Sequence, residues 1–176
     1  MNKHLQLLLI TALFLFNYTV QAGERWFQIE AIVFQQSAPN TELFDQVEAE
    51  LEPVSVYAAA KAGSKSLQNI YNRLRRAGGY QPFSYQSWRA PVKSDRISLP
   101  INITDEAENL HGWLKIQRGN LLHVLADIEF GPTETIEGDA LFYRIIEKRR
   151  VMLNEVHYLD HPFFGVLLKL SLVEQD

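Results

Sequence analysis

Runs of alternating apolar and polar residues predict most of the secondary structure of this chain, interrupted by two stretches of helical spacing. Trp26 to Gln35 (WFQIEAIVFQ) is dense in aromatic and β-branched residues and bounded by Ser37, Pro39 and Asn40, which predicts a strand. Ile29, Ala31 and Val33 share one face, and Trp26, Ile32 and Phe34 share the other, so the strand is expected at the centre of a sheet. From Glu42 to Leu51 the residues Leu43, Phe44, Val47 and Leu51 recur at helical spacing before Pro53, predicting a short helix. Val54 to Gly63 has little pattern and fits either a helical extension or a loop.

Ser64 to Ala77 carries the clearest helical stripe, Leu67, Ile70, Tyr71 and Leu74. Ser64 or Ser66 is placed to cap its start, Arg73, Arg75 and Arg76 suit its C-terminal dipole, and Gly78 is expected as a left-handed stop. Tyr80 to Trp88 follows as a strand, with Pro91 after it; strand, helix and strand in this order suggest a crossover unit. His111 to Gln117 and Leu121 to Phe130 are separated by Arg118, Gly119 and Asn120 and predict a β-hairpin. Leu110, Leu114 and Ile116 form its core face, leaving His111, Trp113, Lys115 and Gln117 on a wetter one.

Leu141 to Val151 reads as a strand ending in Lys148, Arg149 and Arg150, and Phe163 to Leu172 as the last strand. Between them, Asn154 to Pro162 breaks the sheet pattern, because Pro162 restricts His161 and cannot donate to a ladder. The expected fold class is α+β, a single domain with a mainly antiparallel sheet of five or six strands covered on one face by the Ser64 to Ala77 helix.

The first residues change the picture of where this domain works. Lys3, an apolar run from Leu5 to Phe16, and a polar stretch ending at Val20-Gln21-Ala22 follow the plan of a secretory signal peptide, with cleavage expected after Ala22. The apolar run is shorter than the roughly 20 residues that cross a bilayer core, so no stable membrane insertion is expected after cleavage. Residues 1–22 are thus read as signal and residues 23–176 as the working domain.

With no cysteine, lipid attachment at the cut, disulfides, cysteine-ligated zinc, iron–sulfur clusters and thiol catalysis all fall away. An exported chain without disulfides points to a bacterial periplasm. The formal net charge is −4 and Lys3 is the only charged residue of the leader, leaving −5 on the remainder, so nucleic acid is not an expected partner.

Candidate chemistry is sparse. His157, Asp160 and His161 gather two imidazoles and a carboxylate, but Pro162 opposes the helix that would aim both rings at one ion, and no nucleophile accompanies them. A tight turn, with Asp160 bonded to nearby backbone and Tyr158 packed inward, accounts for the same residues. His111 and His123 read as sheet residues, and Asp127 with Glu129 as two acids on one strand face. Phosphate-binding loops, G-x-S-x-G and H-E-x-x-H are absent, so neither an enzyme nor a cofactor or metal is expected.

Binding has more to stand on. Arg118, Arg144, Lys148, Arg149 and Arg150 fall on adjoining predicted elements, and Trp88, Arg89 and Trp113 can bring flat apolar faces near them. Sugar rings stack on aromatics and peptide carboxylates match guanidinium forks, which suits cell-wall glycan. Strand-end charge balance over a buried indole explains the same set.

Four stretches together resemble the CsiV family: WFQIEAIVFQQ, LQNIYNRLRRAGGYQPFSYQSWRAPV, LHGWLKIQRGNLLHVLADIEF and RRVMLNEVHYLDHPFFGVLLKL. The last is the most specific, joining an Arg-Arg pair to H-Y-x-D-H-P and a G-V strand. The resemblance marks Arg149, Arg150, His157, Tyr158, Asp160, His161, Pro162 and Gly165 as pattern positions, with Gly78, Gly79, Trp88 and Arg89 in the middle block. The chain departs from the pattern at Glu52 to Gly63, where members are often longer and richer in proline. The resemblance implies a non-enzymatic periplasmic protein that binds peptidoglycan and supports cell shape through an outer-membrane lipoprotein activator of a penicillin-binding protein. A protein-interaction adaptor without direct glycan binding is the alternative.

Overall fold

The computed structural model describes residues 23–37, 51, 53–136 and 139–173. The signal segment lies outside the described residues, as does the Glu42 to Leu51 helix apart from Leu51. In chain order the elements are β1 (Arg25–Gln36), β2 (Lys61–Ala62), α1 (Gln68–Arg76), β3 (Tyr80–Val92), β4 (Arg96–Ile97), β5 (Ile101–Asn102), β6 (Leu110–Arg118), β7 (Leu122–Ile136), β8 (Asp139–Arg150), β9 (Val156–Asp160) and β10 (Phe164–Leu172). They build two antiparallel sheets, ordered β2-β3-β1-β10-β9 and β4-β6-β7-β8, with β5 also paired to β6.

The α+β expectation of one sheet under a helix is therefore corrected to two sheets packed face to face, with a single short α-helix among the described residues. The physical reason lies in how the strands divide their apolar faces. Phe27, Ile29, Ala31 and Val33 of β1 meet Leu110, Leu114 and Ile116 of β6 and Val124, Ala126 and Ile128 of β7 in one buried core. Phe130 bridges the sheets, its ring centroid 4.9 Å from Phe83 and 5.7 Å from Phe164. The second apolar face of β1 is real too: Ile32 and Phe34 point outward, and α1 lies over that side through Leu67, Ile70 and Tyr71. β1 is central, as its two-sided pattern predicts.

Four local expectations are also revised. β1 and β3 are antiparallel neighbours, so α1 sits in a long return connection rather than a parallel crossover. The helix ends on Ala77 in extended conformation, its N–H shared between the carbonyls of Arg73 and Leu74, and Gly78 is not a left-handed stop. β3 runs on through Pro91 to Val92; β2 pairs with it only at Trp88 and Arg89, so Pro91 takes no donor from a ladder on that side. Finally, His157 to Asp160 is not a turn but part of β9, which forms a hairpin with β10 around His161 to Phe163.

Gly112 in β6 has φ +153°, and a Cβ there would run into the Asp127 carbonyl of the adjacent strand. This is a close backbone approach that only glycine allows.

Candidate functional site

Strand alternation decides which candidate residues can act together. Arg149 and Arg150 are consecutive on β8, so they project to opposite faces of the second sheet. Arg149 lies on the side of Val124 and reaches Glu147, with Nε donating to Oε1 at 2.5 Å. Arg150 stands opposite His123 on the outer face. The pair is not one guanidinium fork.

That outer face carries cross-strand rows read directly from the register: His111, Glu129 and Arg144; Trp113, Asp127 and Ile146; Lys115, Leu125 and Lys148; Gln117, His123 and Arg150. Within it, Arg144 forms a two-pronged ion pair with Asp127, both contacts 2.7 Å, with side chains only 7% and 5% exposed. Burial pushes the neighbouring Glu129 carboxyl up, against the opposing pull of Arg144 and His111. Trp113 is 9% exposed and Lys115 Nζ sits 4.0 Å above its ring. Its indole is thus covered, and its Nε1 has no hydrogen-bond partner among the described residues. Lys148 and Arg150 remain exposed on this face.

The other candidates separate. Trp88, opposite Ile29, packs against the core between the sheets. Arg118, at the end of β6, donates from Nη1 to the Gly23 carbonyl at 2.9 Å and the Val92 carbonyl at 3.3 Å, tying down the start of β1. It also lines a groove of about 330 Å³ at the open end of the sandwich, with Arg25, Leu122 and Met152.

Arg89 lies on the outer face of the first sheet, in register with Gln28 of β1 and Lys61 of β2. There it meets residues that the sequence reading does not single out as ligands. Trp26, Lys61, Arg89 and Val173 line a recess of about 220 Å³, with Lys61 Nζ 5.2 Å from the Trp26 ring centroid. Arg89 Nε donates to the Ala62 carbonyl at 3.3 Å. Trp26 is legible only as one face of an apolar strand, and nothing in the sequence near Lys61 announces a two-residue strand that carries it opposite Arg89.

The H-Y-x-D-H-P segment is held by mutual contacts. Met152 N–H donates to His157 Nε2 at 2.9 Å, and Tyr158 OH to Asp160 Oδ1 at 2.5 Å. Burial and the bond to Asp160 raise the Tyr158 pKa. Gln36 Nε2 reaches both Tyr158 OH, at 3.2 Å, and the His161 carbonyl, at 2.9 Å. Tyr158 points outward with its ring stacked near Phe34, centroids 5.9 Å apart, rather than inward as the turn reading has it. Both rings lie over Gly165, where a Cβ would be 2.5 Å from Tyr158 and 2.6 Å from Phe34. His161 is 7% exposed, its Nδ1 accepts from Phe163 N–H at 3.2 Å, and its ring lies among Tyr143, Phe163 and Phe164. Burial depresses its pKa to about 4, against the pull of Asp160. Pro162 occupies the hairpin turn. Among the described residues no group of three or more histidines or carboxylates is placed to hold a metal ion, and no helix is long and apolar enough to cross a membrane.

A family model described as "Peptidoglycan-binding protein, CsiV" matches residues 55–173, from the loop before β2 to the end of β10. Comparison with curated proteins and with solved structures finds no match.

Proposed function

This chain belongs to the CsiV family of peptidoglycan-binding proteins, and on that premise we propose that it is an exported, non-enzymatic protein that binds the wall in the periplasm and supports its assembly and cell shape. The observation that carries the reading is the family match, which spans β2 through β10. The chemistry of the chain agrees with it. The ionisable groups of the H-Y-x-D-H-P segment are engaged with one another and with backbone, as expected of a structural element, and solvent-exposed cations stand on the outer faces of both sheets. Cleavage after Ala22 would release the domain into the compartment where peptidoglycan lies. A further part of the proposal is that the protein acts through an outer-membrane lipoprotein activator of a penicillin-binding protein.

The test is co-sedimentation of the processed protein with purified sacculi at low salt, together with the muropeptide profile of those sacculi. Retention in the pellet and an unchanged profile are expected. Protein left wholly in the supernatant contradicts wall binding, and new muropeptide products contradict a non-enzymatic role.

A second reading, an adaptor that meets the envelope machinery without touching glycan, is favoured by one feature. The far edge of β8 pairs with no other strand among the described residues, and the strand ends in Lys148, Arg149 and Arg150. Such an edge accepts an extended segment by strand addition, and its charge selects an acidic one. If this reading holds, the processed protein alone stays in the supernatant with sacculi, and replacing Lys148, Arg149 and Arg150 with glutamate abolishes partner capture.

A further inference from the structure

The three tryptophans of the chain differ sharply in what they offer a ligand. Trp88 faces the core, and Trp113 is covered by Lys115. Trp26 is half-buried and forms the wall of a recess into which two cations also reach. Four separate segments converge there: Trp26 comes from β1, Lys61 from β2, Arg89 from β3, and Val173 follows β10.

The recess is built rather than accidental. Val173 N–H donates to the Trp26 carbonyl at 2.9 Å, which fixes the indole's backbone, while the pairing of Lys61 with Arg89 sets the two cations side by side. The bond from Arg89 Nε to the Ala62 carbonyl fixes the guanidinium and leaves its two terminal nitrogens without partners among the described residues. Among the described residues no carboxylate lines the recess. Lys61 Nζ rests 5.2 Å from the Trp26 ring centroid, and two neighbouring cations with no counter-ion among the described residues suit an anion from outside. The aromatic face beside them calls for a flat, weakly polar surface, which the C–H face of a pyranose ring supplies.

Size limits the occupant further. At about 220 Å³ the recess falls below the roughly 300–1,000 Å³ of a drug-sized pocket, so it holds one ring and its substituent rather than an oligosaccharide.

We infer that the Trp26, Lys61 and Arg89 recess is a binding subsite for a single pyranose ring bearing a carboxylate, the ring lying against Trp26 and the carboxylate between Lys61 and Arg89. The inference rests on the peptidoglycan-binding reading and names the part of the wall taken: a sugar together with its acidic substituent. That carboxylate has two possible sources, the sugar's own acid or an attached peptide, and both present the same chemistry to the recess.

Titration of the full processed protein, followed by the backbone amide signals of Lys61 and Arg89 in two-dimensional NMR, separates these cases. The probes are muramyl dipeptide, its carboxyl-amidated form, glucuronic acid and neutral N,N′-diacetylchitobiose. Muramyl dipeptide shifts both signals, whereas amidation or the W26A or R89Q substitution weakens its binding about tenfold or more. A response to glucuronic acid as strong as that to muramyl dipeptide assigns the acid to the sugar, and a weaker one assigns it to the peptide. Equal affinity for muramyl dipeptide and chitobiose, or undiminished binding by W26A and R89Q, overturns the inference. Lys61 and Arg89 are exposed, so K61Q with R89Q provides a second variant expected to fold if W26A does not. Sacculus co-sedimentation of the same variants distinguishes the two levels: if wild-type protein does not pellet, wall binding itself is wrong, and if wild type and variants pellet alike, only the subsite is.

Discussion

Glu30, 1% exposed in the middle of β1, receives the N–H of Ser66 on one carboxylate oxygen at 2.6 Å, thereby capping from another element a helix whose own side chains provide no cap. Leu67 N–H at 3.1 Å and Tyr85 OH at 2.5 Å reach the same oxygen, and Ser66 OH reaches the other at 2.5 Å. The bonds from Ser66, Tyr85 and Leu67 outweigh burial and hold the Glu30 carboxyl below the usual range. One buried charge thus fastens α1 to the first sheet.

Glu30→Gln substitutes a donor for one of the acceptors and should destabilise the protein by about 2–4 kcal/mol at pH 7. Because the folded-state pKa is lowered, this stabilisation is fully present above the unfolded carboxyl's value and is lost as pH falls below it. Urea unfolding of wild type and variant at pH 7 and at pH 3 checks both points: the gap between them should narrow in acid.

His161 acts in a higher pH window. Its folded pKa of about 4 lies below the ordinary value of 6.5, so the unfolded chain binds the extra proton first as pH drops. The native state is expected to keep full stability from this group above pH 6.5 and to lose on the order of 2–3 kcal/mol between there and pH 4. NMR titration of the His161 ring gives the direct reading. A midpoint near 6.5 in the folded protein would contradict the buried, neutral assignment.

Gly165 is expected to tolerate no side chain, because Tyr158 and Phe34 already fill the space over it. Gly165→Ala should cost about 1–3 kcal/mol by forcing those rings apart. Thermal unfolding measures the loss, and Gly165→Ala combined with Tyr158→Ala should recover part of what the first substitution removes.

Asp127 and Arg144 form a deeply buried ion pair on the outer face of the second sheet. Arg144→Met leaves a carboxylate stranded and should destabilise by about 3 kcal/mol or more, whereas the joint replacement Asp127→Leu with Arg144→Met should cost less than the single change. A double-mutant cycle by chemical denaturation gives the coupling, and additivity of the two changes would contradict it.

The strands themselves were legible because period two survives in the sequence wherever one face is buried, as in β1, β3, β6, β7, β8 and β10. β9 was missed for a physical reason. In His157 to Asp160 the alternation is present, with Leu159 buried and Tyr158 outward, but imidazole, carboxylate and the following proline disguise it as a turn. The layering was hidden as well: a strand apolar on both faces fits one sheet under a helix as readily as the centre of a sandwich sheet that also carries a helix. Strand parity was available for the site and separates Arg149 from Arg150, yet the Trp26 recess depends on β2, whose two residues carry no pattern.

The most direct test of wall binding is a salt series of sacculus co-sedimentation, fitted for affinity at each ionic strength. Attachment through exposed cations predicts binding at low salt that weakens steadily as salt is raised. A protein that stays in solution at every salt concentration contradicts the account.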